Sequence, residues 1–171
     1  MLIPQLILFD WGDTLMRDDP RSSAPMCEWP EVDAFADAKA LLALLQLAGI
    51  RCGLATGARV STEVQIRAAL QRAEIGHLID PVFCYRNLGA SKDTPQYWHK
   101  LLKQVALPVN SILMIGDDLQ RDVRIPARLG ISAIWLNRDS TAECCGPGYL
   151  SVHDLRDVAA RLPQLGFQLP A

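Results

Sequence analysis

Residues 6–14 read LILFDWGDT, four apolar side chains that stop on an acid and are followed at once by a tryptophan, a glycine and a second acid. A short run that is apolar at every position suits a strand buried on both faces, which requires helices packed above and below a parallel sheet. Asp10 then marks the carboxyl end of that strand. The same figure recurs down the chain. Residues 50–55 close on Thr56 and Gly57, residues 81–85 run into a polar loop at 86–93, residues 111–115 end at Gly116, and residues 131–136 form a further apolar run.

Helical patterns lie between these strands. Residues 32–48 carry Leu41, Leu42, Leu44, Leu45 and Ala48 at helical spacing, and Gly49 ends them. Residues 61–72 form a second helix with Val64, Ile66 and Leu70 turned inward. Thr94 and Pro95 combine an N-cap with a first-turn proline, so a helix starts there and runs to about 106. Residues 119–129 form the next, stopped by Gly130, with Pro126 inside it to kink it or shift its bounds. Residues 137–148 read as loop, and Ser151 with Asp154 three residues on reads as the cap of a last helix through 162. The pattern predicts an α/β, three-layer Rossmann-like domain over residues 1–171, with a central parallel sheet of about five strands flanked by helices. No internal repeat, linker or low-complexity tract divides it.

Composition agrees with a soluble globular domain: 171 residues, 50% hydrophobic and 21% charged, with 17 basic against 19 acidic side chains. At this length roughly 70% of the unfolded surface is buried on folding, so the core needs neither disulfides nor a structural metal. The near-balanced charge and the lack of a basic run leave no footprint for nucleic acid or an anionic membrane surface. Cys27, Cys52, Cys84, Cys144 and Cys145 are odd in number, none stands in a C-x-x-C pair, and adjacent Cys144 and Cys145 are poorly placed to bridge. Reduced thiols and a cytoplasmic protein are expected. The first ten residues lack a basic start, are broken by Pro4 and Gln5, and stop at Asp10, unlike a signal peptide. No apolar run approaches the ~18 residues that cross a bilayer.

In an open parallel sheet, ligands bind beyond the carboxyl ends of the strands. The polar residues there are Asp10 to Thr14, Thr56 with Gly57, Lys92, and Gly116 to Asp122. Together they supply the carboxylates of Asp10, Asp117, Asp118 and Asp122, a hydroxyl and loop amides from Thr56 and Gly57, and the Lys92 ammonium. These groups suit Mg²⁺ and phosphate. A phosphoryl group repels a carboxylate nucleophile unless a hard cation, an ammonium and backbone donors neutralise its charge. Attack by an aspartate then forms an acyl phosphate and divides one hard displacement into two easier ones.

These segments resemble the haloacid dehalogenase superfamily: ILFDWGDTL its first motif, GLATG its second, Lys92 in GASKDTPQYW its third, and MIGDDLQRDV its fourth. The resemblance spans residues 5–137. It implies a hydrolase, a phosphatase acting on a phosphorylated substrate through an aspartyl phosphate. Asp10 is then the nucleophile and a Mg²⁺ ligand, the Gly12 carbonyl a second ligand and Asp117 a third. Thr56, Gly57 and Lys92 hold the phosphoryl group, while Asp122 and Asp118 support the metal shell or orient Lys92. By position alone, Asp118 and Asp122 equally suit helix N-terminal acids. The gaps from Asp10 to Thr56 and from Thr56 to Lys92 leave no room for a separate cap domain, only an insert at 17–30. The site is therefore open, suited to a large substrate or to cover by a neighbouring subunit of a homo-oligomer. Arg17, Arg21, Met26 and Trp29 are candidates for a partial lid.

One position departs from the pattern. Phosphatases of the superfamily usually carry a general acid/base aspartate two residues after the nucleophile, and here that residue is Gly12. Asp13 is the neighbouring acid, although a shift of one residue redirects a side chain. General acid–base help is worth about 10²–10⁴-fold, so slow, leaving-group-restricted or absent turnover is implied. A non-catalytic protein that binds metal or a partner is the alternative; Gly12 favours it and intact Asp10, Thr56, Lys92 and Asp117 oppose it. A receiver domain fails on order, because its acid pair would follow the first strand rather than the fourth. Dehalogenation lacks any sign of a closed apolar pocket. If position 12 lacks an acid and nothing replaces it, Gly12→Asp raises phosphate release from an ester with a poor leaving group; no gain in folded protein counts against that account.

Overall fold

The computed structural model describes residues 1–170. Six strands form one parallel sheet in the order β3-β2-β1-β4-β5-β6: β1 Leu6–Phe9, β2 Cys52–Ala55, β3 Val82–Phe83, β4 Ile112–Gly116, β5 Ser132–Leu136 and β6 Tyr149–Val152. β1 is central, paired with β2 through Ile7 and Cys52 and with β4 through Ile7 and Leu113. All four of its side chains are fully buried. Alternation divides them between two cores. Ile7 and Phe9 meet the first helix, α1 (Ala36–Leu47), and the second, α2 (Glu63–Arg72), while Leu6 and Leu8 meet Tyr97, Trp98 and Leu101 of α4 (Pro95–Val105). The expected three-layer architecture follows from that division.

The helix expected from Thr94 and Pro95 does start at Pro95, although the Thr94 side chain caps no amide and its Oγ1 donates to Ser91 O at 2.7 Å instead; α1 starts at Ala36 rather than at 32. Thr62 and Gln65 close a capping box on α2, and Pro95 occupies the first turn of α4 after Thr94. Val64 is 77% exposed rather than inward, and Ile66 with Leu70 carries the buried face. Tyr85–Leu88 forms a short helix, α3, in the region read as polar loop. Pro126 resolves the ambiguity it raised: a wide π turn over Leu119–Arg124 precedes α5 (Ile125–Arg128), so the proline enters a new first turn instead of interrupting a ladder.

The carboxyl-terminal region differs most. Residues 149–152 extend the sheet as a sixth parallel strand beside β5, with Leu150 and Val152 buried, so Ser151 sits in a strand and caps nothing. Asp154 does cap: it accepts from Arg156 N in a 3-10 turn that leads to α6 (Val158–Arg161). Ladder pairing of a non-local strand outweighs the local capping signal. No separate cap domain is present among the described residues.

One buried ion pair ties the sheet's functional end together. Asp37, 5% exposed, accepts from Arg138 Nη1 at 2.6 Å and Nη2 at 3.1 Å, and from Leu155 N at 3.0 Å. Arg138 also donates to the carbonyls of Asp13 and Thr14 and lies 4.2 Å from the Phe35 ring centroid. Removing Asp37 strands a charge and an amide together. Asp37→Ala is expected to lower stability by about 3 kcal/mol, read as a reduced midpoint in urea with an unchanged slope.

Candidate functional site

The sheet reverses its winding between β1 and β4, and the cleft opens beyond that point, where polar groups escape the apolar layers. Asp10 leaves β1 with its amide bonded to Ile115 O at 2.9 Å. Lys92 arrives from the loop before α4 with its side chain only 2% exposed. Its Nζ lies 2.6 Å from Asp10 Oδ1 and 2.8 Å from Asp122 Oδ1, and it also donates to the carbonyl of Ala55. Three donors meet three acceptors from three elements. Trp98 Nε1 donates to Lys92 O at 3.2 Å and fixes the loop behind it.

Asp117 follows β4. It accepts from Thr14 Oγ1 at 3.2 Å, and its own carbonyl accepts from Trp135 Nε1 at 2.9 Å. Asp10, Asp117 and Asp122 each offer a carboxylate oxygen, and these oxygens lie within 4.8 Å of one another. An all-oxygen, acidic set of this kind could hold a hard divalent cation. Asp122 is fixed by Lys92 on one oxygen and by Asp118 N at 3.0 Å on the other. Gly116 is required beneath it, since a Cβ there would fall 2.2 Å from Asp122 Oδ2.

Thr56, Gly57, Gly12 and Asp13 line the same cleft, about 390 Å³ in volume. Thr56 is buried, with Oγ1 accepting from Ala58 N at 3.1 Å, and Tyr97 Oη donates to its carbonyl at 3.2 Å. The sequence therefore locates a real cluster. Asp118 points elsewhere: its carboxylate caps the following turn by accepting from Gln120 N, Arg121 N and Arg121 Nε. Asp13 has a left-handed backbone, φ 57°, and its Oδ1 accepts from Asp18 N at 3.1 Å.

The insert forms one wall. Met26 and Trp29 line the cleft as expected, whereas Arg17 stacks on Phe35 and Arg21 pairs with Asp19 instead. Asp18, Asp19, Arg59 and Arg121 also line it and were not singled out from sequence. Arg59 donates to Ser91 Oγ at 2.8 Å. Asp18 and Asp19 stand in a polar stretch of the insert, and both keep solvent contact while lining the cleft.

Crowding sets the protonation of the site. Burial, then the charges of Asp10 and Asp122, push Asp117 up to about 7. Burial also raises Asp122, to about 6, against the opposing pull of Lys92. For Lys92, burial favours the neutral amine, but the carboxylates of Asp10 and Asp122 outweigh it and raise its pKa. Partial burial of its carboxyl, with the charges of Asp13 and Asp10, raises Asp18. Asp118 lies below its usual range, because the amides and guanidinium around it overcome its burial.

A family model described as haloacid dehalogenase-like hydrolase matches residues 26–130. Among solved structures, an uncharacterized protein from Listeria monocytogenes serotype 4b superposes with a TM-score of 0.82 at 22% identity, covering 95% of this chain and 98% of that one. An HAD phosphatase from Thermococcus onnurineus gives 0.64 at 22% identity, covering 80% of this chain and 60% of that one. The HAD-hydrolase YfnB from Bacillus subtilis, bound to magnesium, gives 0.71 at 13%, covering 92% and 98%. At these identities the likeness is one of fold. No curated protein matches the sequence. No described helix is long and apolar enough to cross a membrane.

Because Asp117 and Asp122 bind protons more tightly folded than at the ordinary 3.8, these two groups hold more protons in the folded than in the unfolded chain between about pH 4 and 7. Stability from these groups is therefore present at low pH and lost as pH rises through that window. In chelator-treated protein, the melting temperature of wild type is expected to fall from pH 5 to 7.5 relative to that of Asp117→Asn. A constant difference between the two would refute the assignment.

Proposed function

The chain belongs to the haloacid dehalogenase-like hydrolases, and on that premise we propose that it is a Mg²⁺-dependent phosphatase, acting on a phosphate ester through an aspartyl phosphate on Asp10. The observation that carries this reading is the Lys92 ammonium seated between Asp10 Oδ1 and Asp122 Oδ1, with Asp117 in the same cluster. A buried ammonium fixed on a carboxylate in the lining of a cleft favours the approach of an anion through its charge.

The donor set suits Mg²⁺, since the cluster offers oxygen alone, and burial together with the charges of Asp10 and Asp122, which raise Asp117 to about 7, calls for a cation. Asp10, Asp117 and the Gly12 carbonyl would hold the ion, with Asp122 behind them. When bound it supplies charge neutralisation that lets one anion approach another. The other tasks fall to the chain. Asp10 attacks phosphorus. Lys92 orients the attacking carboxylate and offsets charge on the phosphoryl oxygens. Thr56 and Gly57, held by Tyr97 through the Thr56 carbonyl, provide a hydroxyl and an amide beside it. Asp122 keeps Lys92 aimed. The cleft is open, with Arg59 and Arg121 in its lining, so a small ester or an exposed phosphoryl group on a larger substrate can enter.

The absence of a side chain at Gly12 favours a second reading, a non-catalytic relative that binds metal or a partner. One experiment separates the two: phosphate release from p-nitrophenyl phosphate and acetyl phosphate, with and without Mg²⁺, for wild type, Asp10→Asn and Lys92→Met. Release is expected to need both Mg²⁺ and Asp10, and to drop by about 10²-fold or more without the Lys92 ammonium. No release above the Asp10→Asn background, from folded protein, would give the case to the non-catalytic reading.

A further inference from the structure

Protonation of a leaving oxygen requires an acid beside Asp10 that neither holds the cation nor is neutralised by a basic partner. Five carboxylates line the cleft: Asp10, Asp13, Asp18, Asp19 and Asp117. Asp10 and Asp117 belong to the cation cluster. Asp19 is locked in an ion pair with Arg21, Nε to Oδ1 at 2.9 Å. Asp13 and Asp18 are left, and position separates them. Asp13 has a left-handed backbone, its Oδ1 accepts from Asp18 N, and its Oδ2 has no partner among the described residues. Asp18 is the one that stands against Gly12. Its Oδ1 accepts from Asp19 N at 2.9 Å, and among the described residues its Oδ2 has no hydrogen-bond partner.

Gly12 fixes where that free oxygen lies. A Cβ built on Gly12 would fall 3.1 Å from Asp18 Cβ, 3.1 Å from Cγ and 3.2 Å from Oδ2. The space that a side chain at position 12 would enter, two residues from the nucleophile, is thus taken by the carboxyl group of residue 18. The insert folds back because Arg72 binds the carbonyls of Cys27, Trp29 and Pro30, and Trp29 Nε1 donates to Ala24 O. The missing volume at position 12 and the carboxyl of Asp18, an exposed residue whose Oδ2 has no protein partner among the described residues, occupy the same place.

We infer that Asp18 is the general acid/base of the site, supplied from the insert in place of a side chain at position 12. The inference rests on the phosphatase reading above. As Asp10 bonds to phosphorus and the ester P–O bond breaks, the proton of the Asp18 carboxylic acid passes to the departing oxygen, releasing the alcohol. The Asp18 carboxylate then takes a proton from water whose oxygen attacks phosphorus. The bond to Asp10 breaks, inorganic phosphate leaves, and Asp18 is protonated again.

A merely structural side chain would not distinguish leaving groups, so the test compares an alkyl phosphate with p-nitrophenyl phosphate in the presence of Mg²⁺. Asp18→Asn is expected to lower kcat for the alkyl ester by about 10²-fold or more. With p-nitrophenyl phosphate it is expected to give a nitrophenol burst matching the enzyme concentration, then slow release, because the first step survives and water activation does not. Combining Gly12→Asp with Asp18→Gly restores turnover of the alkyl ester relative to Asp18→Gly alone, since the space residue 18 filled is vacated for the new acid; Gly12→Asp alone adds little. Wild-type turnover that Asp18→Asn leaves unchanged would overturn the assignment while sparing the phosphatase reading. Equal losses on both esters with no burst would overturn it too. A wild type that releases no phosphate from either ester removes the phosphatase reading, and this inference with it.

Discussion

The Lys92 ammonium is the constraint around which the functional end is arranged. A cation 2% exposed costs several kcal/mol to desolvate unless acceptors surround it closely. Here they come from three strand ends: Asp10 after β1, the Ala55 carbonyl of β2, and Asp122 in the turn after β4. The acceptors must therefore be delivered by neighbouring parallel strands, and β2-β1-β4 adjacency does that. Gly116 follows from the same demand, because Asp122 can reach Lys92 only if the backbone below it carries no side chain. The wide turn over Leu119–Arg124 presents Asp122 inward while leaving Asp118 to cap it.

Much of this was legible from the order of residues. Strands buried on both faces announce themselves as apolar runs, and the polar residue after each run must stand at the sheet's edge, so Asp10, Thr56 and Asp117 could be placed together without coordinates. Lys92 was harder, since lysines usually face solvent; its position before Pro95 was the local clue. The sixth strand was not legible, because Tyr149–Val152 is too short for periodicity to separate from loop and its pairing partner lies across the 137–148 loop. Val64 shows another limit. An apolar residue one step off the buried face of α2 is exposed, and only the packing of Ile66 and Leu70 settles the phase.

Asp18 and Arg138 escaped for a shared reason: each acts on a segment far from it or across a turn. Arg138 joins the carbonyls of Asp13 and Thr14 to Asp37 of α1, so the loop that carries Gly12 is held from outside the motif that contains it. Arg72 does the same for the insert by binding three of its carbonyls. Neither arginine carries a sequence signature, because a guanidinium that satisfies loop carbonyls can come from any element that passes nearby. The site is thus read in two layers: the reactive groups from strand ends, and their supports only from the assembled chain.

The acids in and around the cleft are also sorted by their neighbours, and this sorting is what allows so many in one place. Arg21 holds Asp19, and Arg121 with two amides holds Asp118, below the usual carboxylate range. Burial and mutual repulsion push Asp117 and Asp122 upward, so these groups gain most from a bound cation. Asp18 stands between the two sets, raised by partial burial and by the charges of Asp13 and Asp10, and lacking a basic partner. Pairs of acids whose surroundings drive them apart are the arrangement from which distinct acid, base and ligand tasks arise. A side chain at position 12 would have to share its space with Asp18. The short insert therefore does more than cover the cleft: it brings a carboxyl group to a strand end that has only a glycine to offer.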